Sequence, residues 1–175
     1  MENRQLSRTD NSAGQQSADF INEQMDCYGD MVYRIGILYL HSREDAEDVF
    51  QEVFLKLYLT DTVFETAEHR RAWLATAAVN YCKNILRSVW RRRTVELDEL
   101  CAVAEDDYGA AESDLVRQLM ELPLRYRRVL YLHYYEGYTG EEIGAMLKIS
   151  PATVRTQMRR GREMLKTQIL KGDES

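Results

Sequence analysis

Arg155, Thr156, Arg159 and Arg160 fall at helical spacing near the C-terminal end of the chain, and their chemistry is that of nucleic-acid contact. Guanidinium groups pair with phosphate oxygens or with the acceptor edge of guanine, and a neighbouring hydroxyl serves either. Arg162 and Lys166 extend the same basic side. A second set, Asn80, Asn84, Arg87 and Arg91, recurs at steps of four, three and four and runs into Trp90-Arg91-Arg92-Arg93. Amides beside guanidinium groups suit bases and phosphates together. A solvated basic helix end, favoured by the helix dipole, accounts for the same pattern without a ligand. A third face is mostly acidic: Glu44, Asp48, Gln51 and Glu52, with Lys56. Reaction chemistry is missing from the sequence. It contains no Gly-rich phosphate loop, no HExxH and no nucleophile–base pairing supported by spacing. No catalytic, metal or cofactor-binding residue is assigned, and the chain is not read as an enzyme.

The elements that carry these residues read as helices. Thr139 caps a helix with Glu142 at the capping-box position, and Ile143, Met146 and Leu147 form its apolar face. Leu147-Lys148-Ile149 is a turn; Ser150-Pro151 restarts the chain as N-cap and first helical residue. In the second helix Val154, Met158, Gly161 and Leu165 make a buried stripe opposite the basic side. Two short helices presenting basic residues from the second are what major-groove docking needs, although a plain helical hairpin has the same outline. A preceding helix starts at Leu122-Pro123; its Arg125, Arg127 and Arg128 are expected to reach phosphate, while Val129, Leu130, His133 and Tyr134 face wholly or partly inward. His133 is read as a packed histidine.

Further upstream, Ile21, Met25, Tyr28, Val32, Ile35 and Tyr39 step by four and three in a first amphipathic helix. Ser42 caps a second, with Asp45 at the capping-box position and Ala46, Val49, Phe50, Val53, Phe54 and Leu57 as its core stripe. A third, from about His69 to Arg91, buries Trp73, Leu74, Ala77, Tyr81 and Ile85.

The chain has 175 residues, two prolines and a net charge of −6. Its pattern predicts an all-α protein with essentially no sheet. Divided along the chain, the charge runs −7 over 20–65, +6 over 66–93, −8 over 94–114 and +6 over 147–171. Phosphate binding follows the local field rather than the total, so two separate basic surfaces matter more than the acidic sum. The organisation expected is a disordered tail (1–19), a helical domain (20–93), an acidic linker (94–113) and a helix-turn-helix domain (114–171). Cys27, Cys82 and Cys101 lack metal or disulfide spacing and fit reduced thiols. With no apolar run of about eighteen residues and no signal peptide, the expected place is the cytoplasm, without membrane insertion.

Four segments in series, DAEDVFQEVFLKLY (45–58), RAWLATAAVNYCKNILR (71–87), LPLRYRRVLYLHYYEGYTGEEIG (122–144) and ISPATVRTQMRRGREMLK (149–166), resemble the bacterial extracytoplasmic-function RNA polymerase sigma factors. The resemblance implies a protein that joins core RNA polymerase and directs it to promoters, its first domain acting at the −10 element and its second at the −35 element. It implies that Asp45, Asp48, Gln51 and Glu52 meet a clamp helix of the polymerase's largest subunit, with the flap as a further contact. It sets Asn80, Lys83, Asn84, Arg87 and Arg91 against the −10 region, and the loop 62–69 as a base-capturing loop. It places Arg155, Thr156, Arg159 and Arg160 on the −35 element.

An anti-sigma partner is also implied, clamping the two domains in a closed form that hides both basic faces. The chain departs from the family at Lys148, where Gly is usual and a left-handed backbone is expected, at Gly161, where Ala is usual, and at Val79 and Asn84. Association with the nucleoid follows from the same resemblance. The rival readings are a free-standing helix-turn-helix regulator, which leaves 45–87 unexplained, and a helical adaptor, which leaves both basic surfaces unexplained.

Overall fold

The structure, a computed structural model, describes residues 6–92 and 114–172. The expected linker 94–113, residues 1–5 of the expected tail, and Cys101 lie outside the described residues. Among those described there are seven helices and no strand. They are α1 (Leu6–Leu40), α2 (Arg43–Leu59), α3 (Ala67–Arg92), α4 (Asp114–Met120), α5 (Leu124–Tyr134), α6 (Gly140–Leu147) and α7 (Pro151–Gly172).

The first helix begins far earlier than expected. Residues 6–19, read from their polarity as part of a disordered tail, continue α1 without a break. Helix nucleation is the costly step, and once the packed part of α1 has formed, each further residue adds a hydrogen bond at little cost.

Helix α1 stops at His41, whose φ of 54° takes the left-handed conformation while its N–H reaches Ile37 O at 2.9 Å. Ser42 then caps α2, its hydroxyl accepting from Asp45 N–H at 3.1 Å. The two helices therefore fold back on each other across a two-residue turn. Gly36 makes that crossing close: a Cβ there would stand 2.9 Å from Ala46 Cα. Thr66 starts α3, its hydroxyl accepting from His69 N–H. The expected core stripes are buried at Val32, Ile35, Tyr39, Ala46, Val49, Val53, Phe54, Leu57, Leu74 and Ala77. Ala75, Ala78, Val79 and Cys82 are buried too, because α3 is covered by α1 and α2 and also meets α6.

In the C-terminal helices, the capping box at Thr139 and Glu142 is complete in both directions. Lys148 takes φ 58° and ψ 47°, the left-handed turn expected where glycine is usual. Ser150 caps α7 through Thr153 N–H. Val154 is buried and Gly161 is pressed against α5, where a Cβ would stand 2.9 Å from Leu130 Cδ1. His133 is a packed residue, its Nδ1 2.9 Å from Tyr138 O. Tyr134 is a correction: it is 56% exposed, with its hydroxyl accepting from Arg162.

Arg127 is the larger correction. It was expected to reach phosphate beside Arg125 and Arg128, yet it is 3% exposed and turned toward α1. The hydrophobic core runs unbroken from α1–α3 into α4–α7, so Leu38 and Tyr39 share one cluster with Leu130 and Tyr131.

Candidate nucleic-acid interface

Helix α7 positions the first constellation. Val154 and Gly161 turn inward, and Arg155, Thr156, Arg159 and Arg160 are all exposed. Thr156 Oγ1 donates to Ala152 O at 3.0 Å, which leaves its lone pairs for a donor or its position for close approach. Arg159 meets Glu163 at 3.0 Å one turn on. Such an exposed pair contributes only about 0.3–0.5 kcal/mol, so a phosphate displaces it readily. Arg125, exposed and lying over the Tyr126 ring at 4.8 Å, lines a shallow groove with Thr153, Thr156 and Arg160. Of the three arginines expected at the phosphate, Arg125 thus joins the α7 surface and Arg127 does not.

Helix α3 carries the second. Asn80 is half-buried, while Asn84 and Arg87 are exposed on the same face. The side chain of Arg91 falls outside the described residues. Lys83 points elsewhere: its Nζ donates to Leu147 O in the turn between α6 and α7, at 3.2 Å. Burial first, then the Arg128, Lys148 and Arg87 cations, push its ammonium below the ordinary lysine range.

At the other end of α3, an aromatic group that spacing alone did not single out anchors the loop 60–66. Phe64 packs edge-on against both His69 and Trp73, with ring centroids 5.6 Å apart in each case. Arg70 lies over the Phe20 ring at 5.3 Å and the Phe64 ring at 5.8 Å, and donates to Gln24 at 2.7 Å. Val63, beside this anchor, stands 83% exposed. An aromatic residue in a short loop, three residues before a helix rich in Trp and Arg, was the signal available in the sequence.

On α2, Asp48, Gln51 and Glu52 are exposed and Asp45 is half-buried, so the acidic set forms one face. Glu52 and Lys56 share a cleft with Asn80 and Asn84, which sets the acidic face beside the amide face of α3.

The model of Sigma-70 region 2 matches residues 25–92, and that of Sigma-70, region 4 matches residues 113–165. The ECF RNA polymerase sigma-E factor of Haemophilus influenzae is 30% identical over 145 residues, covering 73% of this chain and 76% of that protein. The chain belongs to the extracytoplasmic-function RNA polymerase sigma factors. As a sigma factor it directs promoter-specific transcription initiation. The ECF RNA polymerase sigma factor SigW of Bacillus subtilis is 28% identical over 169 residues, covering 86% of this sigma factor and 89% of its relative.

Two solved structures share the fold. The sigma factor RpoE from Bartonella quintana, in complex with the anti-sigma factor NepR, aligns with a TM-score of 0.66 and 22% identity, over 87% of this chain and 97% of that one. CnrH, in complex with the cytosolic domain of CnrY, aligns with a TM-score of 0.58 and 19% identity, over 92% and 96%. Among the described residues no group of acidic, His and Cys side chains is arranged to hold a metal ion, and no helix is long and apolar enough to cross a membrane.

Proposed function

We propose that this sigma factor reads its promoter with two faces, one carried by residues 20–93 and one by residues 114–171, while a third face holds core RNA polymerase. Arg155, Thr156, Arg159 and Arg160 contact the −35 element from the first turns of α7. Asn80, Lys83, Asn84, Arg87 and Arg91 contact the −10 region along α3, with the loop around Val63 and Phe64 beside the base to be unstacked. Asp45, Asp48, Gln51 and Glu52 dock on a basic groove of the polymerase clamp, a match of charge that favours encounter and register. The protein acts through this assembly in the bacterial cytoplasm, at the nucleoid, and performs no catalysis of its own.

The observation that carries this reading is the pairing of two basic helix faces, α3 and α7, with the exposed acidic face of α2 in one chain. A free-standing regulator needs only α7. The sigma factor RpoE from Bartonella quintana is held by the anti-sigma factor NepR, and this chain is proposed to take a partner of that kind.

The deciding experiment reconstitutes the full chain with core polymerase and maps transcript starts across genomic DNA. Defined starts sharing −10 and −35 sequences are expected. Failure of the chain to bind core, with direct binding to DNA instead, would favour the regulator.

A further inference from the structure

Each half of the molecule contributes a cation to the carboxyl end of a helix in the other half. From the C-terminal half, Arg127 Nε donates to Leu38 O at 2.5 Å, in the last turn of α1. Its Nη1 donates to Met120 O at 3.3 Å and Leu122 O at 3.1 Å. From the N-terminal half, Lys83 donates to Leu147 O, the last residue of α6. The final carbonyls of a helix lack partners within the helix and carry the negative end of its dipole, so both ends are suited to a cation. A third tie stands between them. Arg71 donates to Glu136 Oε2 at 2.6 Å and to Glu136 O at 2.7 Å, and its guanidinium lies 4.9 Å from the Tyr138 ring centre. Tyr131 holds the other carboxylate oxygen at 2.7 Å.

We propose that Arg127, the Arg71–Glu136 pair and Lys83 form an intramolecular latch that holds this sigma factor closed, and that Lys83 is committed either to the α6–α7 turn or to promoter DNA. The second half of the proposal rests on the −10 reading of Lys83 given above.

Geometry makes the closed form unable to span a promoter. Elements named for positions 10 and 35 are separated by about 25 base pairs, or about 85 Å at 3.4 Å per pair. With Lys83 on Leu147, Arg155 lies within about 30 Å of the Lys83 backbone, given the reach of four extended residues and one helical turn. The segment 93–113 reaches at most about 75 Å when extended, which together with the width of the two halves covers the distance once they separate.

The ties are strong in position and modest in net energy, as a switch requires. Arg127 and its carbonyl partners would all be hydrated on opening, so what these ties lose is small compared with leaving a charge buried and unpaired. The further cost of opening is the apolar surface that the two halves share in one core. Like charge opposes closure as well, since Lys83 of one half feels the cations of Arg128 and Lys148 of the other. Without a partner, the closed form leaves most of both basic faces uncovered. The α7 face stays exposed, and of the described α3 set only Lys83 is taken up. The acidic α2 face is free too, so core polymerase has a landing surface before the latch opens.

The test uses the full chain, its Arg127→Met variant and its Glu136→Gln variant. Small-angle scattering of the free wild-type protein gives the radius of the closed form, against which the variants are compared. Both variants should show a larger radius with unchanged helical circular dichroism. Their affinity for a −10 duplex without polymerase should rise about tenfold, as the competent fraction rises. If Arg127→Met fails to fold, Glu136→Gln carries the same readouts. Folded variants with wild-type radius and wild-type DNA affinity would overturn the latch, even where all chains initiate normally with core. Absence of promoter initiation by every chain with core would instead remove the −10 reading on which Lys83's second role depends.

Discussion

Gly161 of α7 faces Leu130 of α5 so closely that a Cβ on the glycine would stand 2.9 Å from Leu130 Cδ1 and 3.2 Å from Tyr126 Cβ. This contact sets how tightly the recognition helix sits on its support. Gly161→Ala gains about 1 kcal/mol in helix propensity. Against that, Leu130 is 2% exposed and has little room to move, and overpacking a filled core costs about 1–3 kcal/mol. The expected net result is a destabilisation of about 1 kcal/mol, read from urea unfolding.

Lys148 presents the opposite case. It holds a left-handed backbone at φ 58°, a conformation that costs an L-residue about 1–2 kcal/mol and glycine almost nothing. Part of that gain is returned as extra freedom in the unfolded chain. Lys148→Gly should therefore stabilise the protein by about 0.5–1 kcal/mol. It also removes one of the cations that crowd Lys83, so the scattering radius of the free protein should not increase. A loss of stability would show that the lysine stem contributes packing at the turn.

The elements legible in the sequence were those specified locally. Thr139 with Glu142, Ser150 with Thr153, and Ser42 with Asp45 each mark a helix start by a side chain three residues from its partner. The exposed positions of Arg155, Thr156, Arg159 and Arg160 follow from the same periodicity. What the sequence hid depends on contacts far along the chain. Arg125, Arg127 and Arg128 look alike as a basic run, and Arg127 is set apart by the carbonyl of Leu38, 89 positions away, together with those of Met120 and Leu122. The burial of Ala75, Ala78 and Cys82 beyond the expected stripe has the same cause, since α3 is packed on more than one side. Phe64 follows no helical spacing, and its packing against Trp73 appears only in the fold.

His41 gives the closed form a pH dependence. Both of its ring nitrogens are buried without a hydrogen-bond partner, and burial first, then the Arg127 cation, lowers its pKa to about 4. The unfolded chain, with an ordinary value near 6.5, binds this proton more readily than the folded one. Stability from this group is therefore fully present above about pH 6.5 and is lost as the pH falls toward 4. Because His41 sits in a left-handed turn, Asn is a suitable replacement that does not titrate. Unfolding midpoints measured from pH 7 to 4.5 should fall less steeply for His41→Asn than for wild type. Parallel curves would mean that His41 is hydrated in solution and that Arg127 does not crowd it.

Arg155 and Arg159 differ in what they give up on binding. Arg155 is exposed with no ion pair shown, whereas Arg159 must leave Glu163 at 3.0 Å. If either pairs with a guanine edge in the −35 element, its replacement by alanine should weaken promoter binding by about 1–3 kcal/mol and relax sequence preference at one position. A phosphate contact would instead weaken all sequences alike and reduce the salt slope by about one. Glu163→Ala separates the two effects. It frees Arg159 at a stability cost below about 0.5 kcal/mol and should tighten promoter binding slightly, through Arg159 alone. Footprints of the polymerase assembly on matched and mismatched −35 sequences, at two salt concentrations, resolve these outcomes. Wild-type footprints for Arg155→Ala and Arg159→Ala together would move the −35 contact off the first turns of α7.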